Sequence, residues 1–188
     1  MNITVSHITK AYDGKTVLRD LCAEFPEGQI TYVTGPSGCG KTTLARILLG
    51  LTKPDSGSVS GLPAMKSAVF QEDRLLEGLS AEENLRAVLG GGDHREALKA
   101  VGLGETGSKP VRAFSGGMRR RLALARGILY PAPFVVLDEP TNGLDPETRG
   151  IVTRWALDGL RGRTAVWITH MPEAIPASSR ILRMEPIE

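Results

Sequence analysis

The stretch 35–43 constrains this chain more than any other, because it fits the pattern G-x-x-x-x-G-K-[ST] of a phosphate-binding loop. An apolar run at 30–34 before it is typical of a buried strand, and the helical pattern after it stops at Gly50. Glycines allow such a loop to turn backbone N–H groups towards a phosphate at the positive end of a helix. A glycine-rich turn that happens to end in Lys-Thr is the alternative, and the flanking strand and helix argue against it.

The residue types in this loop predict how it binds a nucleoside triphosphate. Lys41 is expected to reach the β- and γ-phosphates, and the Thr42 hydroxyl is expected to bind Mg²⁺. The loop residues predicted to contact the nucleotide are Gly35, Pro36, Ser37, Gly38, Cys39, Gly40, Lys41, Thr42 and Thr43. The loop predicts the ligand and leaves open what the energy of the triphosphate drives.

The composition excludes several classes of protein. The 188 residues, 41% hydrophobic and 23% charged, suit one globular domain with a sizeable core. A net charge of +2 gives no overall attraction to nucleic acid or anionic lipid. The sequence contains no signal-peptide pattern and no apolar run of membrane-spanning length, so membrane association is expected only through a partner. Two cysteines indicate a reducing compartment, with Cys22 expected in the core and Cys39 in the phosphate loop.

Hydrophobic periodicity predicts an α/β core at about 1–75 and 130–188, with a helical insertion at about 76–129. The predicted strands are 3–6, 17–25, 30–34, 58–60, 68–70, 134–137, 165–169 and 181–184, and Asp13-Gly14 is a hairpin signal. The predicted helices are 43–49, 80–89, 93–101, 116–129 and 146–160. Ser80 and Glu83 form a capping-box pattern, and Asp93 is a candidate cap for the helix that follows.

Three consecutive arginines at 119–121 lie in the predicted helix 116–129. Such a run can bind nucleic acid or can be a solvated surface. The apolar face of this helix is expected to consist of Met118, Leu122, Ala125 and Leu129. Most of the arginine run points away from that face at helical spacing, so a solvated surface is the expectation.

The apolar strand 134–137 ends in two acidic residues, Asp138 and Glu139. Ligands of open α/β sheets bind at the carboxyl ends of strands, so Asp138 is expected beside the phosphate loop, where it can bind Mg²⁺. Glu139 can orient or deprotonate an attacking water. Two solvated acids at a strand end are the alternative, and the phosphate loop upstream argues against it.

A second candidate anion site lies at Ser115-Gly116-Gly117, where the helix 116–129 begins. Ser115 suits the N-cap position, and the two glycines permit close approach to the backbone amides. Taken alone, the pattern is a capped helix start. One nucleotide needs only one phosphate loop, so a second site calls for a separate explanation.

Together these motifs resemble the ABC-type ATPases, the nucleotide-binding subunits of ABC transporters, over essentially the whole chain. Residues 35–43 match Walker A, 114–118 match the signature usually written L-S-G-G-Q, 134–140 match Walker B with the catalytic Glu139, and 141–145 match the D-loop. Other matched positions are Tyr12 for the aromatic that stacks on adenine, Gln71 for the Q-loop glutamine and His170 for the switch histidine; Val17 is also expected to contact ATP. The Ser-Gly-Gly signature followed by the Asp-Glu pair makes the match specific.

The resemblance implies a P-loop NTPase core with a mainly parallel central sheet, an N-terminal antiparallel β part and a helical subdomain. It implies hydrolysis of ATP, with Mg²⁺, and assigns a role to each matched residue. The implied catalytic residues are Lys41, Gln71, Glu139 and His170, and the implied metal ligands are Thr42, Gln71 and Asp138. In the family, two subunits pair head to tail. Ser115, Gly116, Gly117 and Met118 would then contact the partner's ATP, and Asp145 would couple the sites as well as cap its own helix.

The implied partners are a second ATPase subunit, identical or related, a transmembrane permease that docks near the Gln71 loop and the helical insertion, and a substrate-binding protein in an import system; no nucleic acid is expected. The permease would hold the subunit at the cytoplasmic face of the membrane. Residues 69–76 are similar to ATPases of nitrate, sulfonate and taurine importers.

Two signature positions depart from the family pattern, since Phe114 replaces the usual leucine and Met118 the usual glutamine. The phosphate contacts are expected mainly from 115–117, so activity should survive. Two rival functions are an ABC-type ATPase of nucleic-acid repair or translation and a P-loop small-molecule kinase. The first would usually carry long coiled coils or a second ATPase unit, and the second would leave 114–118 unexplained.

Overall fold

The computed structural model describes residues 2–171 and 175–187, and its contacts divide the chain into two compact units. The first comprises Met1–Ala68, Ala132–Glu139 and Gly162–Glu188, and the second comprises Val69–Pro131 and Pro140–Arg161. The strands are β1 (Ile3–Tyr12), β2 (Lys15–Phe25), β3 (Ile30–Thr34), β4 (Ser56–Ser60), β5 (Lys66–Val69), β6 (Phe134–Asp138), β7 (Thr164–Ile168) and β8 (Arg180–Arg183). The helices are α1 (Lys41–Leu48), α2 (Ala81–Leu89), α3 (Arg95–Ala100), α4 (Gly116–Leu129) and α5 (Pro146–Gly159), with 3-10 turns at Gly104–Thr106 and Val111–Ala113.

A five-stranded sheet in the order β5-β6-β7-β3-β8 forms the centre of the first unit. The pairs β6–β7, β7–β3 and β3–β8 are parallel. Strands β6 and β7 are buried along their whole length, as a parallel strand covered on both faces should be, which confirms the prediction made from their continuous apolar runs. Because these strands run in one direction, the carboxyl ends of β3, β6 and β7 share one edge of the sheet.

An antiparallel sheet in the order β2-β1-β4 completes the first unit and confirms the expected N-terminal β part. Its hairpin turns at Asp13 and Gly14, whose φ values of 49° and 79° are those of a two-residue hairpin loop. Strand β1 continues to Tyr12, beyond the predicted end at residue 6, because it pairs with β2 over its whole length. One apolar cluster joins the two sheets and α1; it includes Ile3, Ile8, Leu18, Phe25, Val33, Leu44, Leu48, Val136 and Val166.

The second unit contains α2, α3, α4 and α5. The predicted capping box is confirmed at α2, where the Ser80 hydroxyl accepts the Glu83 N–H (3.3 Å) and the Glu83 carboxylate accepts the Ser80 N–H (2.8 Å). Helix α4 has the predicted bounds, and its predicted apolar face packs into the core of this unit. The buried members of that core are Ala81, Leu85, Leu98, Val101, Leu103, Val111, Phe114, Leu122 and Ala125.

Cys22 is exposed, so its predicted core position is wrong. Continued alternation from buried Leu18 would turn residue 22 inward. The backbone at Asp20 has a φ of 50°, and the register of β1 with β2 shifts between the pairs that hold Leu18 and Leu21. This irregularity puts Leu21, Ala23 and Phe25 on the inner face instead.

The predicted solvated surface at 119–121 is wrong for Arg120. The Arg120 residue is only 5% exposed, Arg119 and Arg121 are partly exposed, and all three guanidinium groups bind neighbouring loops. The acceptors are mainly backbone carbonyls of segments distant in sequence. Helical periodicity gives no information about such contacts.

Smaller differences concern element ends. Helix α1 begins at Lys41, two residues before its predicted start, and β5 lies at Lys66–Val69 rather than 68–70. His94 rather than Asp93 is the N-cap of α3, although the Asp93 carboxylate accepts the Arg95 N–H (3.0 Å). Among residues 2–171 and 175–187, no helix combines the length and the apolar character that crossing a bilayer requires.

Candidate nucleotide-binding site

The loop 35–40 connects the carboxyl end of β3 to the first turn of α1, as the sequence predicts. Pro36, Ser37 and Gly38 are exposed, whereas Cys39 and Gly40 are buried. The helix cap, Gly40, has no side chain that could accept the N–H groups of the first turn. The exposed part of the loop therefore lies in front of backbone donors at the positive end of a helix, which is an arrangement that binds anions.

Two glycines in this loop are required by space as well as by backbone angle. At Gly35 (φ 150°), a Cβ would lie 2.2 Å from the Met184 carbonyl oxygen. At Gly40 (φ 95°), a Cβ would lie 2.7 Å from the carbonyl oxygen of Val17 in β2. The loop is thus packed directly against β2 and against the segment after β8, which fixes its shape.

Lys41 is 8% exposed, and its ammonium group is held inside the loop. Its Nζ donates to the carbonyl oxygens of Gly35 (2.7 Å) and Pro36 (2.8 Å) and lies 3.8 Å from Cys39 Sγ. These acceptors satisfy a buried cation and hold it at the centre of the predicted phosphate site.

Thr42 and Asp138 are in direct contact. The Thr42 hydroxyl donates to Asp138 Oδ2 (2.9 Å), and Asp138 is 2% exposed at the end of β6. Hydroxyl and carboxylate oxygens are hard donors of the kind that Mg²⁺ prefers, so this pair fits a magnesium site. The described part of the chain has no cluster of three or more His, Cys, Asp or Glu side chains that could hold a metal, but Mg²⁺ beside phosphates takes most of its ligands from phosphate and water.

Glu139 and His170 lie together at the same edge of the sheet. Their side chains approach to 3.3 Å between Glu139 Oε1 and His170 Nδ1, a contact that becomes an ion pair when the imidazole is protonated. Glu139 has a φ of 50°, unusual for a residue with a side chain, and its N–H donates to the Ile168 carbonyl at the end of β7 (3.0 Å). Strain of this kind is tolerated where the surroundings fix the backbone, and it occurs often at active sites.

Tyr12 and Val17 belong to the hairpin strands of the same unit. The Tyr12 ring is 43% exposed at the end of β1, and the Lys10 ammonium lies 5.3 Å from the ring centroid. Val17 contacts the phosphate loop through the close approach of its carbonyl to Gly40. The stacking of Tyr12 on adenine stays a prediction.

The second unit carries the remaining predicted residues, and among these Ser115 and Asp145 are helix caps. Ser115 Oγ accepts the Met118 N–H (3.3 Å), and Gly116 and Gly117 follow it in the first turn of α4. Asp145 caps α5 by accepting the Thr148 N–H (2.9 Å), which confirms the predicted cap and holds the pKa of the Asp145 carboxyl below its usual range. Their contacts with a partner stay predictions.

Gln71 lies in the irregular segment after β5, and its side chain is exposed. Its predicted roles, as a metal ligand and as a catalytic residue, stay predictions. Sequence reasoning missed the side chains that hold this segment, namely Arg120 and Arg126 of α4 and the fully buried Asn84 of α2. The signal available in the sequence was a polar residue near the apolar side of an amphipathic helix. A polar side chain that is buried there needs buried hydrogen-bond partners.

The chain is similar to known proteins of one family. The family model described as ABC transporter matches residues 18–142. An aliphatic sulfonates import ATP-binding protein of Pseudomonas syringae pv. tomato is 36% identical over 97% of this chain and 73% of its own. One from Rhizobium johnstonii is 38% identical with the same coverage. Among solved structures, a bacterial Atm1-family ABC exporter with ATP bound superimposes with a TM-score of 0.84 at 24% identity, over 100% of this chain and 38% of the exporter chain, which supports the fold.

Proposed function

Because the chain belongs to the ABC transporter family as an ATP-binding subunit with ATPase activity, we propose that it binds ATP together with Mg²⁺ in the loop 35–43. The observation that carries the proposal is the contact of Thr42 with Asp138 beside the buried Lys41. These groups place a cation, a hydroxyl and a carboxylate around the first turn of α1. Thr42 and Asp138 would hold the metal, which would neutralise charge on the β- and γ-phosphates.

Glu139 is proposed as the residue that activates water. In the reaction, a water oxygen forms a bond to the γ-phosphorus, the bond from that phosphorus to the β-γ bridging oxygen breaks, and the water proton passes to the Glu139 carboxylate. Lys41 would leave its carbonyl acceptors for phosphate oxygens, which are stronger acceptors because they are charged. His170, 3.3 Å from Glu139, would orient that carboxylate and donate to the γ-phosphate. Tyr12 would stack on the adenine.

The working unit is proposed to be a dimer. Ser115, Gly116 and Gly117 form a capped helix start with open space beside Gly116, which suits a second set of phosphate contacts. A head-to-tail pair would direct this helix start at the ATP held by the other subunit, with Met118 beside it and Asp145 near the junction. Two helix termini on one triphosphate bind ATP better than ADP, and that difference can drive closing and reopening.

The subunit is proposed to energise an importer. Its relatives from Pseudomonas syringae pv. tomato and Rhizobium johnstonii are named for import of aliphatic sulfonates, so organic sulfonates are the proposed class of cargo. A transmembrane permease would dock near Gln71 and hold the subunit at the cytoplasmic face of the membrane, and a substrate-binding protein would deliver the cargo.

The substitution Glu139→Gln tests the proposed chemistry. We expect ATP binding to persist and kcat to fall by about 10²-fold or more, since a general base contributes 10²–10⁴-fold. Size-exclusion chromatography with ATP and Mg²⁺ should then show an accumulated dimer, and adding Ser115→Arg to this variant should abolish that dimer. Glu105→Gln, an exposed acid in a 3-10 turn of the second unit, is the matched control. Turnover of Glu139→Gln close to that of the control would refute the assignment.

A further inference from the structure

The segment 70–80 has no regular secondary structure, yet side chains of the second unit bind its polar backbone near both ends. Backbone carbonyls that leave a helix or sheet need other partners when they are shielded from water. Here α4 supplies them at one end of the segment, and α2 supplies them at the other. Gln71 stands at the α4 end.

Two arginines of α4 bind the first part of this segment. The Arg120 guanidinium donates through Nη1 to the carbonyl oxygens of Phe70 (2.5 Å) and Gln71 (3.2 Å) and to Asp73 Oδ1 (3.3 Å). Arg126 donates to the carbonyl oxygens of Asp73 (2.9 Å) and Arg74 (2.8 Å). Five acceptors between residues 70 and 74 therefore contact one helix.

The burial of Arg120 makes these bonds a constraint. It is 5% exposed, and Asp73, a carboxylate with which it pairs at 3.3 Å, belongs to the bound segment itself. A buried charge must keep its partners, because breaking a buried ion pair costs far more free energy than breaking one at the surface. Moving the segment away from α4 would leave that cation without these acceptors, so the two move together.

The other end of the segment is fixed by Asn84 of α2, which is fully buried. Its side chain accepts the Leu76 N–H (2.8 Å) and donates to the carbonyl oxygens of Leu76 (3.0 Å) and Ser80 (2.9 Å). The backbone of Glu77 accepts the Arg112 N–H (2.9 Å). The segment is thus fixed at both ends within one unit.

We propose that Arg120 and Arg126 are positioning residues for Gln71, binding its loop to the helix that begins at Ser115. This proposal rests on the proposed function, in which the Gln71 loop contacts the metal and the permease and the helix start at Ser115 contacts the partner's ATP. The two arginines then make the loop and the helix start parts of one rigid body. A shift of α4 on ATP binding would carry Gln71 with it. The arginines touch neither nucleotide nor metal in this proposal and act only through the loop.

Hydrogen exchange measured by mass spectrometry tests the physical tie. In Arg120→Gln and Arg126→Gln, amides of 71–75 should exchange about tenfold faster than in the wild type, because the loop loses the bonds that hold it. The matched control is Arg121→Gln, whose guanidinium binds the carbonyl oxygens of Val101 (2.8 Å) and Gly102 (3.0 Å), so its effect should appear near 101–104 instead. Unchanged exchange at 71–75 in the folded arginine variants would overturn the proposal.

A double-mutant cycle in ATPase activity tests whether the arginine acts through Gln71. We expect Arg120→Gln to lower kcat about tenfold with the KM for ATP within about twofold, since a small misplacement of a positioned group is enough for this. In a Gln71→Ala background, the same substitution should have no further effect on kcat. Multiplicative losses would show an effect independent of Gln71 and overturn the proposal.

Arg120→Lys keeps the charge but carries it on a flexible stem as a compact, strongly hydrated group, so it should restore part of kcat and part of the exchange protection. It also replaces Arg120→Gln if that variant does not fold. A wild-type kcat in Gln71→Ala would refute the proposed role of Gln71 in hydrolysis, and the exchange measurement would still decide whether the arginines hold the loop.

Discussion

Removing the hydroxyl of Tyr32 should make the protein more resistant to alkaline unfolding. Tyr32 lies in β3, the strand that leads into the phosphate loop, and is 2% exposed. Its ring lies 5.8 Å from that of Trp167, its partner in β7, and its hydroxyl has no hydrogen-bond partner among the described residues. Burial raises the pKa of Tyr32 to about 12, because the phenolate loses its hydration in the folded state.

The sign and size of the effect follow from this difference. The pKa of Tyr32 in the folded protein lies above its unfolded value of 10. The contribution of the neutral phenol to the free energy of unfolding is therefore fully present below pH 10 and is lost as the pH rises towards 12. At pH 11 the unfolded phenol is mostly ionised and the folded one mostly neutral, which lowers the free energy of unfolding by about 1.4 kcal/mol relative to pH 8. For a chain of this size, that loss corresponds to a Tm lower by about 3–5 °C.

Thermal unfolding of the wild type and Tyr32→Phe at pH 8 and pH 11 measures this loss. At pH 8 the variant should be as stable as the wild type or slightly more stable, since an unpartnered buried hydroxyl contributes nothing favourable. Between pH 8 and pH 11 the Tm of the variant should fall by less than that of the wild type, because the variant has no phenol at residue 32 to ionise. Tyr12→Phe removes an exposed hydroxyl and should follow the wild type. Parallel decreases in Tm for wild type and Tyr32→Phe would refute the reasoning.

Two further predictions concern single backbone-determining residues. Gly40→Ala should weaken ATP binding about tenfold or more in a calorimetric titration and should lower the Tm further than Gly38→Ala, because both carry a positive φ but only the Cβ at residue 40 meets a carbonyl at 2.7 Å. Equal Tm losses in the two variants would contradict the packing of the loop against β2. Ser80→Ala should cost about 1 kcal/mol of unfolding free energy by denaturant titration, through loss of the α2 cap, whereas Ser108→Ala in an exposed turn should cost almost nothing. A Ser80→Ala variant with the same free energy of unfolding as the wild type would show that the cap does not contribute to stability.

Local sequence was sufficient for the phosphate loop and for the strands around it. The glycine spacing at 35–40, the apolar runs of β6 and β7 and the Ser80 cap are each determined by residues within one element, so their patterns predicted the structure correctly. The contact of Thr42 with Asp138 could also be expected, because parallel strands bring their carboxyl ends to one edge.

The failures involve interactions that no single element contains. Arg120 seemed a surface residue because its acceptors lie in an irregular segment some fifty positions earlier, and helical periodicity carries no information about that segment. Cys22 was misplaced because alternation assumes an uninterrupted strand, and the positive φ at Asp20 interrupts β2. For Arg120 a contact distant in sequence decided the burial, and for Cys22 a backbone irregularity decided which face the residue occupies.

The order of the parallel sheet has a consequence for biosynthesis. Within the described sheet, strand β3, which supports the phosphate loop, pairs with β7 and β8, and these begin at Thr164 and Arg180. While the chain emerges from the ribosome, β3 lacks these neighbours until β7 has been made. The phosphate loop, and with it nucleotide binding, therefore waits for a strand that is made long after the loop itself.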